Sequence, residues 1–162
     1  MIILTNKNLT TTQKLQAFLS GAAATTNPTV SVVSYILYRE QKNDFSEYAK
    51  SPEFTVLAGA TETTIAAAPN QGSIKNITNI SIYNTDTASV TVTVCIDDNA
   101  TNRLQIKATL LTLETLYYED GQGWYATDTN GNRKTATTSV NSSAILGTTT
   151  NDSAAAGRLG ER

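Results

Sequence analysis

The chain has 162 residues, 40% of them hydrophobic and only 16% charged, with a net charge of −2. That length suits one domain able to bury a core without disulfide or metal staples, and the near-neutral balance excludes the basic patches that nucleic acid or an anionic membrane would need. Histidine is absent and Cys95 is the sole cysteine, which removes the commonest general base and metal ligand, the serine-hydrolase triad and any intrachain disulfide.

Threonine supplies about one residue in six, and its β-branch favours the pleated surface of a strand. No apolar run approaches the length of a membrane span, and the first residues lack the basic-then-apolar build of a signal peptide. The expectation is a soluble chain made in a cytoplasm. Asn-x-Ser/Thr triplets such as Asn76-Ile77-Thr78 are chance matches in so Thr-rich a sequence.

Residues 1–13 read as an extended polar lead. Thr10-x-x-Gln13 has the form of a helix capping box, yet Leu15, Ala17 and Leu19 alternate. Two strands around the turn at Thr25-Thr26-Asn27-Pro28 explain this region more economically. Residues 39–52 are the most charged stretch and read as a surface loop. Phe54, Val56 and Ala58 alternate as a further strand, residues 63–67 form another short one, and Ala68-Pro69-Asn70-Gln71-Gly72 is a break.

Residues 73–128 are almost continuous strand-and-turn grammar. Ile80 and Ile82 begin the block, and Asn84-Thr85-Asp86-Thr87 connects it to a strand in which Val90, Val92, Val94 and Ile96 face one side. Cys95 lies on the other side of that strand with Thr91 and Thr93, as a small packed thiol. Leu104, Ile106, Ala108 and Leu110 repeat the pattern against Arg103, Gln105, Lys107 and Thr109. Asp97-Asp98-Asn99 with Thr101 could ligate a hard cation, but it lacks the recurring carboxylates of a calcium loop and is read as a hairpin turn. Glu119-Asp120-Gly121-Gln122-Gly123 and Asp128-Thr129-Asn130-Gly131 are read the same way, since adjacent carboxylates on a turn do not flank a common substrate. Tyr117, Tyr118, Trp124 and Tyr125 are the candidate ligand or interface surface, either an aromatic platform for sugar rings or an anchor at a protein interface. The alternative is that alternation sends some of them into the core.

From residue 129 the chain is rich in Thr, Ser, Ala, Asn and Gly. Val140, Ile145, Leu146 and Leu159 are its scattered large aliphatics, too few to fold alone and candidates for packing between subunits. The fold expected is all-β, an antiparallel, jelly-roll-like β-sandwich over residues 14–128 with a low-complexity extension over 129–162.

Ile80-Ser81-Ile82-Tyr83-Asn84-Thr85-Asp86-Thr87-Ala88, followed by Val90-Thr91-Val92-Thr93-Val94 and Asp97-Asp98-Asn99, resembles a module common in tailed-bacteriophage structural proteins. So does Leu113-Glu114-Thr115-Leu116-Tyr117-Tyr118-Glu119-Asp120-Gly121-Gln122-Gly123-Trp124, while Lys14-Leu15-Gln16 and Val33-Ser34-Tyr35 look like that module's opening strands. Asn151-Asp152-Ser153-Ala154-Ala155-Ala156-Gly157 resembles the link to a further C-terminal domain in longer members. The resemblance implies a non-enzymatic virion component of the tail-fibre, collar-fibre or attachment type, a homotrimer made in the bacterial host cytoplasm. Its implied partners are portal, connector, tail or capsid proteins and a host surface glycan. It implies no cofactor, metal or catalytic residue.

Overall fold

Period-two alternation becomes strand throughout. The computed structural model describes residues 7–40, 44–49 and 52–134, and among them it is all-β. The strands are β1 (Lys7–Leu9), β2 (Gln13–Leu19), β3 (Thr29–Glu40), β4 (Asp44–Ala49), β5 (Glu53–Val56) and β6 (Thr63–Ala66). They continue as β7 (Ser73–Tyr83), β8 (Val90–Asp98), β9 (Thr101–Leu110), β10 (Thr115–Glu119) and β11 (Gly123–Thr127). Two antiparallel sheets pack face to face as a β-sandwich, because one-sided strands must hide their apolar faces from water.

The smaller sheet runs β6-β2-β8-β9, and the larger has seven strands along the path β11-β10-β7-β3-β4. The long strands β3 and β7 form the spine of the larger sheet, and each changes neighbour part-way along. On β3, β5 pairs with Thr29–Val32 and β4 with Tyr35–Glu40. On β7, β10 pairs with Asn79–Tyr83 and β1 with Lys75–Ile77. A bulge at Thr78 marks the line of change, since Val33 pairs with Asn79 but Ser34 with Ile77. The Thr78 hydroxyl donates to the Val33 carbonyl at 3.1 Å. The extra residue lets Ile77 and Ile80, three apart, both face the core.

Thr10 and Gln13 do bond reciprocally, Thr10 N–H to Gln13 Oε1 and Gln13 N–H to the Thr10 carbonyl, but the tight turn they close leads into strand β2. The expectation of a loop over 39–52 is overturned: β3 runs to Glu40, and β4 folds back on it with Glu40 opposite Asp44. Charged residues on an edge strand are compatible with pairing on one side and deter pairing on the other. The inward placement of Leu104 is also corrected. Val94 pairs with Ile106 and Cys95 with Leu104, so a bulge at Gln105 turns Leu104 to the outer face, where it is 61% exposed.

The core is built from Leu15, Ala17 and Leu19 of β2, Val90, Val92 and Val94 of β8, and Val30, Val32, Ile77, Ile80 and Ile82 of the β3–β7 spine. Each such aliphatic contributes about 1.5–3 kcal/mol when removed from water. Lys75 is buried at one end, its Nζ 3.1 Å from Glu53 Oε1. A buried ammonium is tolerated only with such compensation.

Candidate functional site

Cross-strand register places residues of five strands in rows on the outer face of the larger sheet. One row runs Phe54, Ser31, Ser81, Tyr117, Tyr125; the next runs Val56, Thr29, Tyr83, Thr115, Thr127. β5 is inverted relative to ordinary patterning. Phe54 and Val56 point outward, 78% and 60% exposed, while Glu53 turns inward to Lys75. In the first row the small Ser31 and Ser81 lie between Phe54 and Tyr117, whereas in the second the same β7 column carries Tyr83, 37% exposed. Phe54 and Tyr117 stand three strand spacings, about 14 Å, apart.

The four aromatics singled out from the sequence are divided by the pleat. Tyr118 and Trp124 enter the core, their rings 5.3 Å apart and tilted. Tyr117 and Tyr125 stack on the outer face with centroids 5.4 Å apart, and the Arg133 guanidinium lies 3.9 Å over the Tyr125 ring. The Tyr125 hydroxyl donates to Glu119 Oε1 at 2.7 Å. Burial and that bond to a carboxylate push the phenol up to about 12. A single four-ring platform is therefore not formed; the outward-facing pair is Tyr117 and Tyr125, both half-buried.

Between Thr29 and Leu37 of β3, and between Ile74 and Tyr83 of β7, no outward-facing residue is charged. The smaller sheet differs. Its outer face carries the ion pair of Lys14 Nζ with Asp97 Oδ2, at 3.1 Å, and Lys107 opposite Thr93. Cys95 is buried there, and burial followed by the charges of Glu62 and Asp97 raises its pKa, favouring the protonated thiol.

The turn residues are engaged in holding loops. Asn99 and Ala100 both have positive φ, 50° and 66°, between paired Asp98 and Thr101, which is the geometry of a type I′ hairpin. Asp98 accepts from Gln13 Nε2 and the Thr12 hydroxyl, and these bonds lower its pKa. Glu119 and Gly123 close the next hairpin. Asp128 accepts from the backbone N–H groups of Asn132 and Asn130, so its carboxyl is also held low. Past this turn the chain returns along β11, with Lys134 N–H donating to the Ala126 carbonyl and Lys134 Nζ reaching Glu114. The sandwich thus includes residues 129–134, beyond the expected boundary at 128. Val140, Ile145, Leu146 and Leu159 lie outside the described residues.

Sequence reasoning treated Asn84-Thr85-Asp86-Thr87 as a simple connection, but it ties one pole of the sandwich together. Asp86 is buried and accepts from the N–H groups of Ala24, Thr25, Thr26 and Thr87 and from the Thr25 hydroxyl. Burial acts to raise the carboxyl, but the Thr25 hydroxyl and the backbone donors outweigh it and hold it well below the usual carboxylate range. Buried Asn84 has the carbonyls of Ala88, Leu110 and Leu111 within reach of its amide nitrogen, and its Oδ1 accepts from Asp86 N–H.

No protein-family model, curated protein or solved structure matches this chain.

Proposed function

We propose that the chain is a non-enzymatic structural component of a tailed-bacteriophage virion, a β-sandwich that docks or builds a fibre-type appendage at the neck, collar or tail. In this reading it works as a self-associated assembly, a homotrimer in the fibre, against portal, connector, tail or capsid proteins. The observation that carries the reading is the outer face of β3 and β7 in the larger sheet, which bears no charged residue between Thr29 and Leu37 or between Ile74 and Tyr83, with Phe54 and Val56 turned outward on one side of it and the Tyr117–Tyr125 pair on the other. Depletion of charge with exposed aromatic residues is the composition of a protein contact surface. The phage setting comes from the strand-and-turn segments over residues 80–99 and 113–124. The acidic residues that might have suggested chemistry support a scaffold role instead, since Asp86, Asp98, Glu114 and Asp128 each hold a loop or turn.

Quantitative mass spectrometry of purified particles from a host carrying the gene tests this directly. A few copies per particle is the expected result for an appendage at a unique vertex. Absence from the particles overturns the reading, and hundreds of copies replace it with capsid decoration. The outward-facing, stacked Tyr117 and Tyr125 rings favour a second reading, a host-glycan receptor module. Glycan-array binding that Tyr117→Ala abolishes would select it.

A further inference from the structure

We propose that Asn130 is a self-modification site: when the segment 129–134 opens from β11, Asn130 loses ammonia to become isoaspartate or aspartate, and the product keeps that segment open. The proposal is independent of the functional reading above.

Asn130 is the only asparagine in the chain that is followed by glycine. Both residues are exposed, and no neighbouring atom crowds Gly131. Glycine has no side chain to shield its backbone nitrogen and is free to rotate. That nitrogen gives its proton to solvent hydroxide and bonds to Asn130 Cγ, closing a cyclic imide. The side-chain nitrogen takes a proton from water and leaves as ammonia. Water then opens the ring at either carbonyl, giving aspartate or, with the main chain rerouted through Cγ, isoaspartate. In sum an amide and water become a carboxylate and ammonium, and nothing is oxidised or reduced.

The closed turn withholds the attacking nitrogen. Gly131 N–H donates to the Asp128 carbonyl at 3.0 Å, and the N–H groups of Asn130 and Asn132 donate to Asp128 Oδ1 at 2.9 and 2.8 Å. Asp128 N–H donates in turn to the Asn132 carbonyl at 2.9 Å. Three further contacts hold the segment down. Lys134 N–H donates to the Ala126 carbonyl at 2.8 Å, and Lys134 Nζ reaches both oxygens of Glu114 at 2.7 and 2.8 Å. The Arg133 guanidinium lies 3.9 Å over the Tyr125 ring. Attack requires the Gly131 bond to break, so the rate follows the fraction of time the segment is open.

The product does not fit the closed turn. Isoaspartate adds a carbon to the backbone inside the loop that joins the paired residues Asp128 and Asn132. Either product also puts a new carboxylate two residues from Asp128, whose own carboxylate is the acceptor at the centre of the turn. Like charges at that range oppose reclosing. Arg133 and Lys134 lose the turn that aims them at Tyr125 and Glu114, and the chain beyond them comes away from β11. Release is one-way, since the lost ammonia is not regained.

Peptide mapping by mass spectrometry of the full chain, sampled over weeks in mildly alkaline buffer, tests the site. Conversion at Asn130 is expected ahead of every other asparagine, and more slowly in the folded chain than in the same chain unfolded in urea. Arg133→Ala should raise the folded-state rate by about two- to fivefold, the size set by the cation–π contact it removes. Hydrogen exchange at the Lys134 amide should quicken in the converted fraction and in Asn130→Asp. Asn130→Gln, whose longer side chain closes such a ring far more slowly, should stay unmodified and keep that amide protected. Circular dichroism and thermal melting establish that each variant folds; if Arg133→Ala does not, the folded-against-urea comparison decides the gating. An unmodified wild type, or equal rates folded and unfolded, overturns the proposal. Conversion that leaves the Lys134 exchange unchanged overturns it as well.

Discussion

Thr25 gives both its backbone N–H and its hydroxyl to one oxygen of Asp86, each at 2.8 Å. The two residues are sixty-one positions apart, so this contact fastens the β2–β3 loop to the β7–β8 loop. The sign of its pH dependence follows. A carboxyl held below its unfolded value of 3.8 contributes stability that is fully present above that value. The contribution is lost as pH falls through the folded value, because the unfolded chain then binds the proton more readily. Asp98 and Asp128 are shifted in the same direction. Melting temperature is therefore expected to begin falling at about pH 5 and to go on falling below about pH 3. Asp86→Asn should melt lower at neutral pH and show a smaller acid-induced fall. Thermal melts across that range check both.

Ala100 occupies a left-handed position, φ 66°, in the β8–β9 hairpin. A side chain there costs about 1 kcal/mol, and glycine removes that cost while adding some chain entropy to the unfolded state. Ala100→Gly is expected to stabilise the fold by about 0.5 kcal/mol. The change should appear as a higher urea midpoint with an unchanged slope.

Buried Lys75 and partly exposed Glu53 form an ion pair that local sequence does not reveal. Glu53→Ala removes the carboxylate and leaves the ammonium in the core, a loss of about 3 kcal/mol. Lys75→Met, which replaces the charge with an apolar chain of similar length, should cost far less. Denaturant unfolding of the two single variants separates the cases, and equal losses would show that the ion pair is not the controlling feature.

Tyr125 should be among the last phenols to ionise, since its pKa is pushed up to about 12 by burial and by donation to Glu119. Its contribution to stability is present below the ordinary tyrosine value and declines as pH rises through the folded one. Ultraviolet titration is expected to show a late-ionising component that disappears in Tyr125→Phe.

Trp124 is only 5% exposed and packs on Tyr118. Its emission should be blue-shifted and poorly quenched by iodide. Trp124→Ala should cost about 3–5 kcal/mol, the range for deleting a buried aromatic. A variant of near-wild-type stability would remove Trp124 from the core.

The strands legible in the sequence are those whose alternation runs unbroken, β8 above all, where Val90, Val92 and Val94 all reach the core. The hairpin at Asn99-Ala100 was equally plain. Leu104 misled because one extra residue at Gln105 reverses every side chain beyond it, and the reversal depends on cross-strand register rather than local composition. The alternation of Phe54 and Val56 marked β5 as a strand, but not which side of it is buried: Glu53 faces inward to Lys75, which comes from another strand. Asp86 looked like an ordinary turn residue since its partners, Ala24 to Thr26, come from a distant loop. The candidate aromatics were correctly located on a hairpin, but which of them met water depended on strand phase alone.

The line at Thr78 where β3 and β7 both exchange neighbours makes the larger sheet two half-sheets on a common spine. Lengthening the β3–β4 hairpin on one side of the line leaves the register of β5, β10 and β11 on the other side untouched. The reach of one end can therefore vary while the face at the other keeps its register.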